Sequence, residues 1–139
     1  MLPLLTALSP NVAVLILTAG LALIALELNR PGFILPGAVG LMLSLLAAAS
    51  LSLHHPRPEP AVQCVASIAL LLLQARRPLL WIIPVSAAIL LIFSMGTLLP
   101  SAGPGISLRV AVLCGVFLAT GTTLLTRIAF RARQNKGLD

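Results

Sequence analysis

Charge is what this sequence has least of. Of its 139 residues only three are acidic, and charged residues of either sign make up 9%, against about 25% in an ordinary soluble domain. The acids are Glu27, Glu59 and Asp139. No two carboxylates stand at a spacing suited to acid–base work, and no Asp precedes the last residue to orient a base. Neither a Gly-x-Ser-x-Gly elbow nor a His-Glu-x-x-His helix occurs. The chain is therefore predicted not to be an enzyme by itself, with no cofactor and no metal. Aromatics are equally scarce, with one Trp, four Phe and no Tyr. That excludes the aromatic cage of a small multidrug transporter, even though a single Glu in the first apolar segment invites the comparison. Cysteine is limited to Cys64 and Cys114, each inside an apolar run, where it reads as a small buried side chain rather than half of a disulfide. The only histidines, His54 and His55, are adjacent; neighbours in sequence rarely point at one metal, so they are placed in a loop.

What is abundant is apolar surface. Hydrophobic residues make up 59% of the chain and its mean hydropathy is +1.11. A fold in water could not hide that much, so the solvent is a bilayer. The N-terminus lacks the basic stretch of a cleavable secretion signal, and the first apolar run is long enough to span. Five apolar segments separate at charges and prolines, near residues 10–28, 35–53, 60–75, 78–99 and 107–126. None alternates with a period of two, so the fold class is an all-α integral membrane protein of about five transmembrane helices in antiparallel hairpins. Residues 1–128 form the polytopic membrane domain and 129–139 a basic tail. A kink is expected at Pro84, and "HHPRPEP" is expected to be extended. The net charge of +6 concerns topology and lipid before nucleic acid. Arg30, Arg76, Arg77, Arg127, Arg131, Arg133 and Lys136 fall on one side, Arg57 and Arg109 on the other. This bias predicts a cytoplasmic C-terminus and an N-terminus outside.

The most informative stretch is "ALELNRPGFILPGAVGL", from Ala25 to Leu41. Arg30 precedes a proline and is pushed out of the helical region, so the first long helix should end near Asn29. Pro31-Gly32 suits the centre of a type II turn, where Gly supplies a positive φ. Pro36-Gly37 can open the next helix, because the missing N–H falls in its first turn. Glu27 is the only acid inside a predicted span, and Arg30 at i+3 is near enough to pair with it. An interfacial ion pair that stabilises the elbow is the expectation; ion or solute coupling and partner binding are the alternatives. Gly40, Ser44 and Ala48 then make one small-residue stripe, and Ala111, Gly115 and Ala119, continued by Thr123, make another. Both are candidate helix-packing faces. The tail "RIAFRARQNKGLD" offers Arg127, Arg131, Arg133 and Lys136 to anionic lipid of the cytoplasmic leaflet or to an acidic partner. A faint parallel repeat relates "LELNRP" to "LQARRP" 47 residues later, setting Gln74 against Glu27.

Glu27, Pro31, Gly32, Pro36, Gly37 and Gly40, set between two apolar helices, resemble the membrane domain of the NfeD family, the companions of stomatin-like (SPFH) proteins. The basic tail is similar to the segment that leads into that family's OB-like barrel. The middle departs, with Gln74, Leu79 and Leu80 where members often repeat the acid and glycines. About ten residues precede the first span, and Asp139 falls where the barrel would begin. Neither the ClpP-like serine-protease domain of long members nor the barrel is therefore carried over. The resemblance implies a non-catalytic scaffold or assembly protein that packs through small-residue helix faces with an SPFH partner, in a bacterial cytoplasmic membrane. The alternative expectation is an accessory subunit of a large respiratory, photosynthetic or transport complex.

Overall fold

The computed structural model of the protein describes residues 2–30, 32, 34–74, 81–100 and 105–137. Among these residues the only regular elements are helices: α1 (Leu2–Ala7), α2 (Pro10–Asn29), α3 (Ile34–Ser52), α4 (Pro58–Gln74), α5 (Ile82–Thr97) and α6 (Leu108–Asn135). Three of them, α2, α3 and α6, are long and apolar enough to cross a membrane, while α4 and α5 are shorter apolar helices of 17 and 16 residues. At about 1.5 Å per residue those two rise only some 24–26 Å, a little less than a hydrocarbon core of about 30 Å. The short helix α1 was not anticipated. It is held against α3, where the Ser50 hydroxyl donates to the Leu5 carbonyl at 3.0 Å.

Local chemistry explains the helix ends. Ser9 caps α2 with its hydroxyl accepting from the Val12 N–H, and Pro10 follows at the first helical position. Ser107 caps α6 in the same way, through the Val110 N–H. At the far end of α2, Arg30 leaves the helix at φ −131°, ψ 76°, and Gly32 adopts φ +130°. That positive φ is what a turn with glycine in its second central position needs. Pro36 and Pro84 are each the third residue of their helix, in the turn whose N–H groups have no intrahelical partner. The kink expected at Pro84 is therefore absent; the proline belongs to the first turn of α5. The loop expected over "HHPRPEP" is likewise shorter. Only residues 53–57 separate α3 from α4, and Pro58, Glu59 and Pro60 form the first turn of α4. His55 adopts a positive φ of 52° in this connection. The turn expected at "PSAGPGI" and the basic elbow of the repeat lie largely outside the described residues, with Ser101–Pro104 and with Arg76, Arg77, Pro78, Leu79 and Leu80.

α2 and α3 form the tightest hairpin, α4 pairs with α5, and α5 with α6. α6 bridges the halves by packing on α2 and, less extensively, on α4. Consecutive long helices are thus neighbours except α3 and α4, which share no extended contact. The core draws on every long helix, with Val14, Leu17, Leu51, Leu91, Met95 and Leu118 among its members. Leu98, Leu99 and Ile106 close it at one end. That end is tied by the Arg57 N–H donating to Leu98 O at 2.8 Å and the Ser107 N–H donating to Asn11 Oδ1 at 2.8 Å. Arg57 and Arg109 sit there, whereas Arg30, Arg127, Arg131, Arg133 and Lys136 gather at the opposite end.

Apart from Ser50, which donates to α1, hydroxyls inside the bundle are satisfied by their own helices. Thr18, Ser44, Ser67, Thr122 and Thr126 each donate to the carbonyl four residues back, at 2.6–2.8 Å. This is how apolar surroundings tolerate them, since an unmet polar group in hydrocarbon costs several kcal/mol by about the same reckoning that excludes bare backbone. Cys64 and Cys114 are both buried and free.

Candidate functional site

The elbow between α2 and α3 brings its residues together differently from the expected ion pair. Glu27 and Arg30 form no ion pair with each other. The Glu27 carboxylate instead crosses the hairpin and lies over Gly37, where a Cβ would overlap it. It thus meets the first turn of α3, the positive end of that helix. The correction has a simple cause. An i, i+3 pair needs both residues on the helix, and Arg30 has already left it. Its exposed side chain turns toward α6, where it lines a hollow with Arg133 and Lys136. Pro31, the remaining elbow residue, lies outside the described residues.

Above the elbow, the α2–α3 contact is built on Gly20 and Gly40. A Cβ on Gly20 would stand 2.6 Å from Gly40 O and 2.5 Å from Ser44 Oγ; one on Gly40 would stand 2.5 Å from Gly20 O. The two backbones therefore touch, as small residues permit in membrane helices. Gly40 and Ser44 belong to this contact, but Ala48 is exposed and Ala47 is the buried residue. A four-residue step rotates about 40° beyond a full turn, so the third member of such a stripe swings off the face; a seven-residue step returns to within about 20°. Gly20 was not singled out in the sequence. Its signal was a glycine alone in the middle of an otherwise apolar helix.

On α6, Ala111 and Gly115 are buried and Ala119 is half-buried. Gly115 accommodates Ile92 of α5, whose Cγ1 lies 2.5 Å from where a Cβ would be. Beyond that knob, α5 and α6 diverge around an apolar groove of about 330 Å³, lined by Trp81, Pro84, Ala88, Val116 and Leu124 among others. Arg127 closes its end by stacking over the Trp81 ring, 3.5 Å from the centroid. The four tail cations consequently do not act as one group. Arg127 faces α5, with Arg131 one turn on from it, while Arg133 and Lys136 face α2. Gln74, the counterpart of Glu27 in the repeat, is buried and donates through Nε2 to Thr123 Oγ1 at 2.9 Å. The Thr123 hydroxyl in turn donates to Ala119 O. Among the described residues Gln74 Oε1 is the buried side-chain polar atom with no hydrogen-bond partner.

An acid folded back over a glycine-opened second helix, with a glycine crossing above it, is the frame on which comparison with known proteins bears. A family model described as the NfeD integral membrane domain matches residues 11–128. The chain belongs to the NfeD family. It is an all-α, multi-pass integral membrane protein, and the match runs from the first turn of α2 to the point where α6 becomes basic. No curated protein and no solved structure gives a significant match. Three of the residues that carry the NfeD resemblance meet in the α2–α3 hairpin: Gly37 makes room for Glu27, and Gly40 lets α3 touch α2.

Proposed function

We propose that the protein is a non-catalytic scaffold or assembly module that docks a stomatin-like (SPFH) membrane protein. The observation that carries this reading is the NfeD membrane-domain match over residues 11–128, which includes the whole bundle from α2 onward. The buried Ser and Thr hydroxyls favour a role without catalysis, because they are committed to backbone carbonyls. The small-residue faces of α3 and α6 are taken up by contacts within the bundle, so the surface this reading leaves to a partner is the groove between α5 and α6. The excess of Arg and Lys at the Arg30 end supports a cytoplasmic C-terminus in a bacterial cytoplasmic membrane. Arg127, Arg131, Arg133 and Lys136 then lie where they meet anionic lipid or an acidic surface of the partner.

The test is native purification of the tagged full chain from its own membranes, with mass spectrometry of what accompanies it. Recovery of a stomatin-like protein in stoichiometric amount is expected. Stoichiometric respiratory or photosynthetic subunits without any SPFH protein would overturn the reading in favour of an accessory-subunit role.

A further inference from the structure

The hollow of about 420 Å³ between the end of α2 and the last turns of α6 combines features found in no other cavity described above. Arg30, Arg133 and Lys136 line it, over a floor that includes Leu26, Leu125 and Ile128. On α6 these residues fall at 125, 128, 133 and 136, one face of the helix. Among the described residues no acid lines the hollow and none of the three cations has a carboxylate partner. Asn29 also lines it, but its amide is already donated to Ala25 O at 2.9 Å. Three like charges that converge without a counter-charge repel one another and are relieved by an anion. The hollow lies at the end of two membrane-crossing helices, the level at which headgroup phosphates stand, and its floor continues into exposed apolar side chains such as Ile128 and Leu26.

We propose that this hollow is a discrete site for one anionic phospholipid, with the headgroup phosphate held by Arg30, Arg133 and Lys136 and an acyl chain laid along Leu26, Leu125 and Ile128. The guanidinium groups match two phosphate oxygens each, and the apolar floor selects a lipid over a free anion. The site couples the α2–α3 elbow to α6. It depends on the membrane placement and not on the identity of the protein partner, so a failure of the SPFH reading leaves it standing.

Native mass spectrometry of the full chain, titrated with phosphatidylglycerol or with phosphatidylcholine, tests this directly. The first phosphatidylglycerol is expected to bind about tenfold more tightly than the first phosphatidylcholine. The triple variant Arg30→Gln/Arg133→Gln/Lys136→Gln should erase the preference, and the charge-keeping Arg30→Lys/Arg133→Lys/Lys136→Arg should retain most of it. Arg131→Gln, a tail cation outside the hollow, should weaken the preference less than Arg133→Gln does, and Arg109→Gln, at the opposite end of the bundle, should leave it intact. The single variant Arg30→Gln, at an exposed position, reads the same loss should the triple variant not fold. Absence of any preference in the unaltered chain would overturn the proposal. So would a loss in Arg131→Gln equal to that in Arg133→Gln, which is what diffuse tail charge would give. Displacement of bound phosphatidylglycerol by millimolar inorganic phosphate would also overturn it, by making the site one for a free anion.

Discussion

The two helix contacts that depend on glycine, α2 with α3 and α5 with α6, use it in opposite ways. In the first, glycines face each other, and a Cβ on either would strike the other's backbone, Gly40 O for Gly20 and Gly20 O for Gly40, with Ser44 Oγ also against Gly20. In the second, glycine is on one side only, and Gly115 receives the tip of a side chain, Ile92 Cγ1. The first contact is consequently closed along the crossing. The second holds the helices apart by a side chain and leaves the Trp81–Leu124 groove beside it. A backbone-on-backbone contact cannot yield, whereas an isoleucine can change rotamer. The α2–α3 hairpin is thus the rigid half of the molecule, and the α5–α6 side is the half with room for a partner's side chains.

The largest effect should come from Gly20→Leu, which drives a branched side chain into Gly40 O and the Ser44 backbone. A loss of about 3 kcal/mol, the upper end for overpacking, is expected. Steric-trap unfolding in bicelles would read it, and a loss below about 1 kcal/mol would mean the helices are not in backbone contact. Gly37→Ala comes next, because its methyl claims the space of the Glu27 carboxylate; about 1–2 kcal/mol should be lost. In a Glu27→Ala background the same change should become nearly neutral, and a cycle with no coupling would separate the two residues. Gly115→Ala should cost about 1 kcal/mol or less, since Ile92 can move, and Ile92→Val should recover part of it. Arg127→Gln is expected to cost least, about 0.5–1 kcal/mol for a half-exposed cation over Trp81. Its signature is a change in Trp81 fluorescence, and an unaltered emission spectrum would argue that the stack is not formed.

Much of the fold was legible because helix ends are written locally. Ser9-Pro10 opens α2, Arg30-Pro31 closes it, and Ser107 opens α6. The partners of the site residues were less legible, because they are set by which helix lies opposite. Glu27 and Arg30 are three apart in sequence, yet they turn to different helices once Arg30 leaves α2. The drift of a four-residue stripe explains why Ala47 and not Ala48 faces inward. Gln74 and Thr123 are 49 residues apart, and no local rule joins them. The tail cations looked like one basic patch in sequence, but helical spacing deals them to two faces, one toward Trp81 and one toward Arg30.

One comparison tests the packing account most directly: the same substitution, Gly→Ala, made separately at Gly40 and at Gly121, with unfolding measured in one bilayer mimic. Both glycines are helical, but a Cβ at Gly40 meets Gly20 O at 2.5 Å, while at Gly121 it meets nothing within 4 Å. The effects should have opposite sign. Gly40→Ala should destabilise by about 1–3 kcal/mol through overpacking, and Gly121→Ala should stabilise by up to about 1 kcal/mol through helix propensity. Stabilisation at both positions, or an equal loss at both, would contradict the claim that glycine is present in α3 to let it touch α2.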